Sequence, residues 1–240
     1  MDLFAPENLP GVGMGDLESI VAVLGMIGLA VTSGALIAQG TLGTILFVIS
    51  GIAVLQEKPD FGGSTPAALV IFGFLLVAVA ARTILEMRAT REEAGVAGLA
   101  KDSKETKQLV AAVERRRRMA RALTFLAVLW GGAAVGFAWA EWNEVPFRLE
   151  DAEAIIGLGL GLLVAAIGGD AAWRFLSGAL RAGGSALVVG IVVVVIAYLL
   201  NVASFYIPFV GIVPLLLAIW LAIRLRRRAQ QKYAGLRILS

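Results

Sequence analysis

The run Ile20–Leu55, IVAVLGMIGLAVTSGALIAQGTLGTILFVISGIAVL, contains no charged residue, and only Gln39-Gly40-Thr41 offers a turn. As one helix it would extend about 54 Å at roughly 1.5 Å per residue, against a bilayer hydrocarbon core of about 30 Å. The stretch therefore predicts a tight hairpin, with a span over 19–38 and a short second span over 41–56.

Working outward, further apolar runs of spanning length fall at 66–84, 122–140, 154–172, 184–203 and 207–225. The expected fold is all-α: a polytopic membrane bundle of about seven transmembrane helices. Composition agrees, since 59% of the 240 residues are hydrophobic, 16% are charged and the mean hydropathy is +0.85. Soluble domains carry about 25% charged residues.

Lys and Arg set the orientation, because positively charged loops stay cytoplasmic. Arg82 to Arg121, the 173–183 connection and the tail after 223 together hold 19 of the 21 basic residues; Lys58 and Arg148 lie on the other side. Sorted by face, the chain carries a net charge of −9 outside and +12 inside. The layout is an outer N-terminal tail with spans one to three (1–84), a cytoplasmic basic helical segment (85–121), spans four to seven (122–225) and a basic cytoplasmic tail (226–240). The expected location is the cell membrane, N-terminus outside and C-terminus cytoplasmic, with no removable signal peptide. Trp139, Trp142, Phe205 and Tyr206 at outer ends, and Trp173 and Trp220 near inner ones, fit interfacial belts. Pro66 and Pro208 fall in first turns, where a missing N–H costs nothing, and Pro214 predicts a kink inside the last span.

Two triplets of spans flank the fourth. Glu18-Ser19-Ile20-Val21 opens a helix reaching Ser33-Gly34, and Glu153-Ala154-Ile155-Ile156 opens another reaching Gly168-Gly169, a constant offset of 135 residues. This suggests a parallel 3+1+3 repeat, although glycine-rich apolar helices also match by chance. The same span order occurs in SWEET-type sugar transporters and trimeric intracellular cation channels, an architectural analogy that the residues do not extend. A retinal protein is excluded because 207–225 contains no lysine.

The chain has no histidine and no cysteine. That removes imidazole haem and zinc ligation, Ser-His-Asp and Cys-His pairs, disulfides and iron–sulfur sites. No catalytic, cofactor or metal site is expected, and the chain does not read as an enzyme.

Ionisable groups inside a bilayer are expensive and mark function by default. The nearest approach is Asp170 with Arg174, at i and i+4 on the inner end of the fifth span, read as a self-neutralising headgroup pair or, less simply, a gate or ion site. Thr32, Ser33, Thr44 and Ser50 are candidate pore-lining hydroxyls, against ordinary packing. Gly157 and Gly161 in the fifth span, with Gly132 and Gly136 in the fourth, form a candidate helix-packing seam. In the basic segment, Asp102 and Glu105 resemble a capping box opening a helix over 103–121 that runs into the fourth span. There Arg115-Arg116-Arg117-Arg118 predicts contact with anionic lipid headgroups or a partner. Nucleic acid is not expected, since no aromatic interleaving accompanies the charge.

Two functions compete. The first is a non-catalytic structural or assembly subunit packing with other membrane proteins or with itself, motivated by the uncharged interior and glycine seams. The second is a channel or facilitator for a small ion or neutral solute.

Overall fold

A computed structural model describes residues 14–57, 65–96, 104–142, 152–181 and 185–237. They form seven α-helices: α1 (Met14–Ala38), α2 (Thr41–Glu57), α3 (Thr65–Val96), α4 (Lys104–Trp142), α5 (Ala152–Arg181), α6 (Ala186–Tyr206) and α7 (Ile212–Arg237). A 3-10 turn, Pro208–Gly211, joins α6 to α7, and the described residues contain no strand. Three helices are long and apolar enough to cross a membrane, over Thr106–Gly136, Leu158–Ala179 and Val188–Tyr206. Val23–Ala38, Thr41–Ala53 and Pro208–Arg224 are shorter apolar helices. The chain is an all-α polytopic membrane bundle.

The break at the expected turn is present. Gln39 and Gly40 separate α1 from α2, their amides bonding back to Leu36 and Ile37 carbonyls at 3.1 and 3.0 Å. Gly40 has φ +92°, a left-handed conformation that glycine adopts without steric cost. One turn later, a β-carbon on Gly43 would overlap the Leu36 carbonyl.

Helix α1 is the hub. From Ala30 to Ala38 every residue except Ala35 is buried, and α1 packs against α4, α5, α6 and α7 as well as α2. Along α4 and α5 the paired numbers run in opposite senses, Val128 meeting Gly169 and Gly136 meeting Gly161, so these helices are antiparallel. Ile37 meets Gly131, and Val135 packs with the cluster holding Ala30 and Val31, so α1 is antiparallel to α4 and parallel to α5.

Helix α6 shows how a bilayer inverts the pattern of a soluble helix. It buries Val194, Ala197, Asn201 and Ser204 at i, i+3, i+7 and i+10, and exposes Val188, Ile191, Val192, Val195, Ile196 and Leu199. Small and polar side chains face the bundle because lipid solvates the large apolar ones as well as a core would, so close approach and hydrogen bonding decide the interface.

Two expectations on element layout change. The helix break before the last span falls at Pro208–Gly211, so α7 begins at Ile212 and Pro214 sits in its first turn, not at a mid-span kink. There its missing N–H takes nothing from the helix. Around the basic segment, α3 continues as helix to Val96 and α4 is continuous from Lys104 through the fourth span. The repeat offset holds for α1 and α5, which lie side by side. However, α6 and α7 both pack on α1, while neither α2 nor α3 packs comparably on α5, so the triplets are not arranged alike.

Candidate functional site

The distinctive chemistry of the bundle is backbone contact at α1. A β-carbon on Gly34 would overlap the Ala165 carbonyl, and one on Gly168 would overlap that of Val31. Gly28 faces Gly211 of the 3-10 turn in the same way. Gly132, Gly136 and Gly161 are brought together between α4 and α5: a β-carbon on Gly132 would lie 2.5 Å from the Gly161 carbonyl, and one on Gly161 2.5 Å from that of Gly132 and 3.2 Å from the Gly136 Cα. Gly157 lies in α5, but its surroundings fall outside the described residues. The α1–α5 crossing was not expected as a seam. Its signal was nonetheless visible, since Gly34 and Gly168-Gly169 are the glycines that the repeat offset had aligned.

Beside the crossing lies a small polar cluster. Asn201 Nδ2 of α6 donates to Thr32 Oγ1 of α1 at 2.8 Å, and the Thr32 hydroxyl donates to the Gly28 carbonyl at 2.7 Å. Ser33 donates to Ala30 O, Thr44 to Gly40 O and Ser50 to Phe47 O, at 2.8, 2.9 and 2.8 Å. Thr32, Ser33 and Thr44 are fully buried, and Ser50 is half-buried. Each of the four hydroxyl protons is thus committed to its own helix, leaving only lone pairs for any further partner.

Asp170 and Arg174 do pair, Nε donating to Oδ2 at 2.7 Å, with both side chains about half exposed on the surface of α5. The geometry is that of an i,i+4 ion pair on one helix face.

The four arginines divide. Arg116 pairs with Glu92 and Arg117 with Glu93, across from α4 to α3; Arg118 lies 3.7 Å from Glu114 on its own helix. Arg115 is exposed and has no ion pair among the described residues. Beyond the spans, α3 and α4 therefore continue as an antiparallel pair, with Ala89, Val113 and Ala120 buried and the ion pairs bridging the helices. Toward the spans, Phe74 of α3 stacks at a tilt on Trp130 of α4, ring centroids 4.6 Å apart.

Arg82, at the end of the third apolar run, is the one buried cation among the described residues. Its Nε donates to Glu86 Oε1 at 3.0 Å, and its guanidinium lies against Gly40. Among the described residues, no group of three or more His, Cys, Asp or Glu is placed to hold a metal. No protein-family model, no curated protein and no solved structure matches the chain.

Proposed function

We propose that this chain is a non-catalytic subunit of a membrane protein assembly, a helical scaffold packing against partner membrane proteins. The observation that carries the reading is the interior at α1. It is filled by glycine–backbone crossings and self-satisfied hydroxyls, with no ionisable side chain deep in the described core except Arg82 at one end. Such an interior supports rigidity over turnover. The paired α3–α4 extension, with exposed Arg88, Arg91, Arg115, Arg118 and Arg121, supports a cationic contact face for anionic headgroups or an acidic partner. In the proposed orientation this extension and the C-terminal tail are cytoplasmic and the N-terminus is outside the cell membrane.

Mild-detergent purification of the full chain from its native membrane, followed by mass measurement of the eluted particle, tests the reading. A stoichiometric complex supports it, and a monodisperse monomer contradicts it. The absence of cysteine makes orientation simple to test. Ser64→Cys should react with a membrane-impermeant maleimide on intact cells, and Ser240→Cys only after permeabilisation. The reverse pattern would invert the topology.

A second reading, a channel or facilitator, draws on the buried Thr32–Asn201 pair, a polar contact between α1 and α6 inside the bundle. Reconstituted liposomes with flux assays for ions, sugars and water test it, and no flux for any of them would end it.

A further inference from the structure

The α1–α2 turn gathers hydrogen-bond donors that lack acceptors. Helix α2 starts at Thr41, so its first amides precede any intrahelical partner, while α1 ends at Ala38 on the same turn and its last carbonyls offset the helix charge there. Against the turn lies Arg82 of α3, only 8% exposed. A β-carbon on Gly40 would lie 3.2 Å from Arg82 Nη1 and 3.6 Å from Cζ, so the guanidinium sits directly on the turn. Its Nε edge is occupied by Glu86, whose own side chain is half exposed. Nη1 is buried and has no hydrogen-bond partner among the described residues, and the same holds for Gln39 Nε2. Thr41 and Thr83 share a hydroxyl hydrogen bond of 3.0 Å at the exposed rim. From Thr83 an open groove of about 460 Å³, lined by Thr83, Glu86, Met87, Thr90, Arg91 and Ala94, runs along α3.

An arginine this desolvated, with one edge unbonded, is costly unless an acceptor completes it. The acceptor that matches a guanidinium fork and a primary amide together is an anion with several oxygens, and phosphate is the common one. The site lies on the basic end of the bundle, beside the last residues of an apolar run, where lipid phosphodiesters sit. We propose that the α1–α2 turn binds a phosphate-bearing anion, with Arg82 and Gln39 as its donors. The site is separate from the exposed arginines at 115–118 and does not depend on the subunit reading.

Delipidated full-length protein in mild detergent, titrated in native mass spectrometry with phosphatidylglycerol, phosphatidylcholine or inorganic phosphate, tests it. Phosphatidylglycerol or phosphate should bind about tenfold tighter than phosphatidylcholine, with Arg82→Met removing the preference and Gln39→Met weakening it about threefold. The double variant Lys107→Gln/Arg227→Gln, which removes two exposed charges that belong to neither this site nor the arginine face of the extension, should leave it unchanged. Preference for phosphatidylglycerol alone assigns the anion to a lipid headgroup, and competition by inorganic phosphate assigns it to a free phosphate; both support the site. Binding with no preference means that water alone completes the donors and overturns the proposal. An unchanged preference in Gln39→Met, which alters a half-exposed side chain and decides the case should Arg82→Met fail to fold, also overturns it. So does an equal loss in the Lys107/Arg227 variant, which would reduce the binding to general surface charge.

Discussion

The α1–α4–α5 crossing and the α3–α4 extension are both helix contacts, and they share α4, yet almost nothing holds them in common. At the crossing, Gly34, Gly132, Gly161 and Gly168 bring backbones into direct contact. In the extension, Glu92–Arg116 and Glu93–Arg117 bridge helices over a thin line of buried Ala89, Val113 and Ala120. The difference follows the solvent. Among apolar surroundings there is no hydrophobic gain from helix association, so closeness of packing and interhelical hydrogen bonds must supply it. Outside, charges are cheap to keep and worth little, about 0–1 kcal/mol per exposed pair, and salt screens them. The crossing should therefore be sensitive to side-chain volume and indifferent to salt, and the extension the reverse.

The largest effect should come from overfilling the crossing. Gly161→Val places branched carbons where the Gly132 carbonyl and Gly136 backbone already lie, which costs about 3 kcal/mol or prevents folding. Thermal unfolding in mild detergent and the yield of monodisperse protein measure this; wild-type behaviour would mean that α4 and α5 do not touch there.

Next is the Asn201–Thr32 hydrogen bond. Asn201→Leu keeps the volume and should cost about 1 kcal/mol, and a double-mutant cycle with Thr32→Val should recover most of it as coupling. Zero coupling would dissociate the two residues.

The smallest effect belongs to the extension. Glu92→Gln with Glu93→Gln should cost about 0.5 kcal/mol per pair at low salt and almost nothing at high salt, because these side chains are between a quarter and a half exposed. Faster amide exchange confined to 85–96 and 104–121 reads this out. A global loss of stability would show that the ion pairs hold the bundle itself.

Sequence and structure part along the same line. The α1–α2 hairpin was legible because an uncharged run too long for one span has one place to turn, Gln39-Gly40-Thr41. The α4–α5 seam was legible because Gly132 and Gly136 in one span, and Gly157 and Gly161 in the next, recur at one-turn spacing. The α3 extension to Val96 was not, since hydropathy stops reporting at Arg82 while the chain goes on with strong helix formers, Leu85-Glu86-Met87-Arg88-Ala89. The facing Glu92-Glu93 and Arg116-Arg117 pairs were its available signal. The four arginines looked uniform in sequence, yet two of them are engaged by α3 and Arg115 is left exposed, because register between helices is a tertiary property. Burial of Arg82 on the α1–α2 turn had no local signature, as the third apolar run simply ends there. The asymmetry of the two triplets was equally invisible, because an offset between two glycine-rich helices says nothing of what α6 and α7 pack against.

The central claim is that α1 is held by backbone contact, so that one added methyl is decisive there and harmless at a helical glycine that faces open space. Gly34 and Gly190 are both helical glycines, but a β-carbon on Gly34 overlaps the Ala165 carbonyl while one on Gly190 has nothing within 4 Å. The direct test is the unfolding of Gly34→Ala and Gly190→Ala side by side in mild detergent. The account predicts that Gly190→Ala is neutral or up to about 1 kcal/mol more stable through helix propensity. It predicts that Gly34→Ala is at least about 2 kcal/mol less stable. Equal tolerance of both alanines would contradict it.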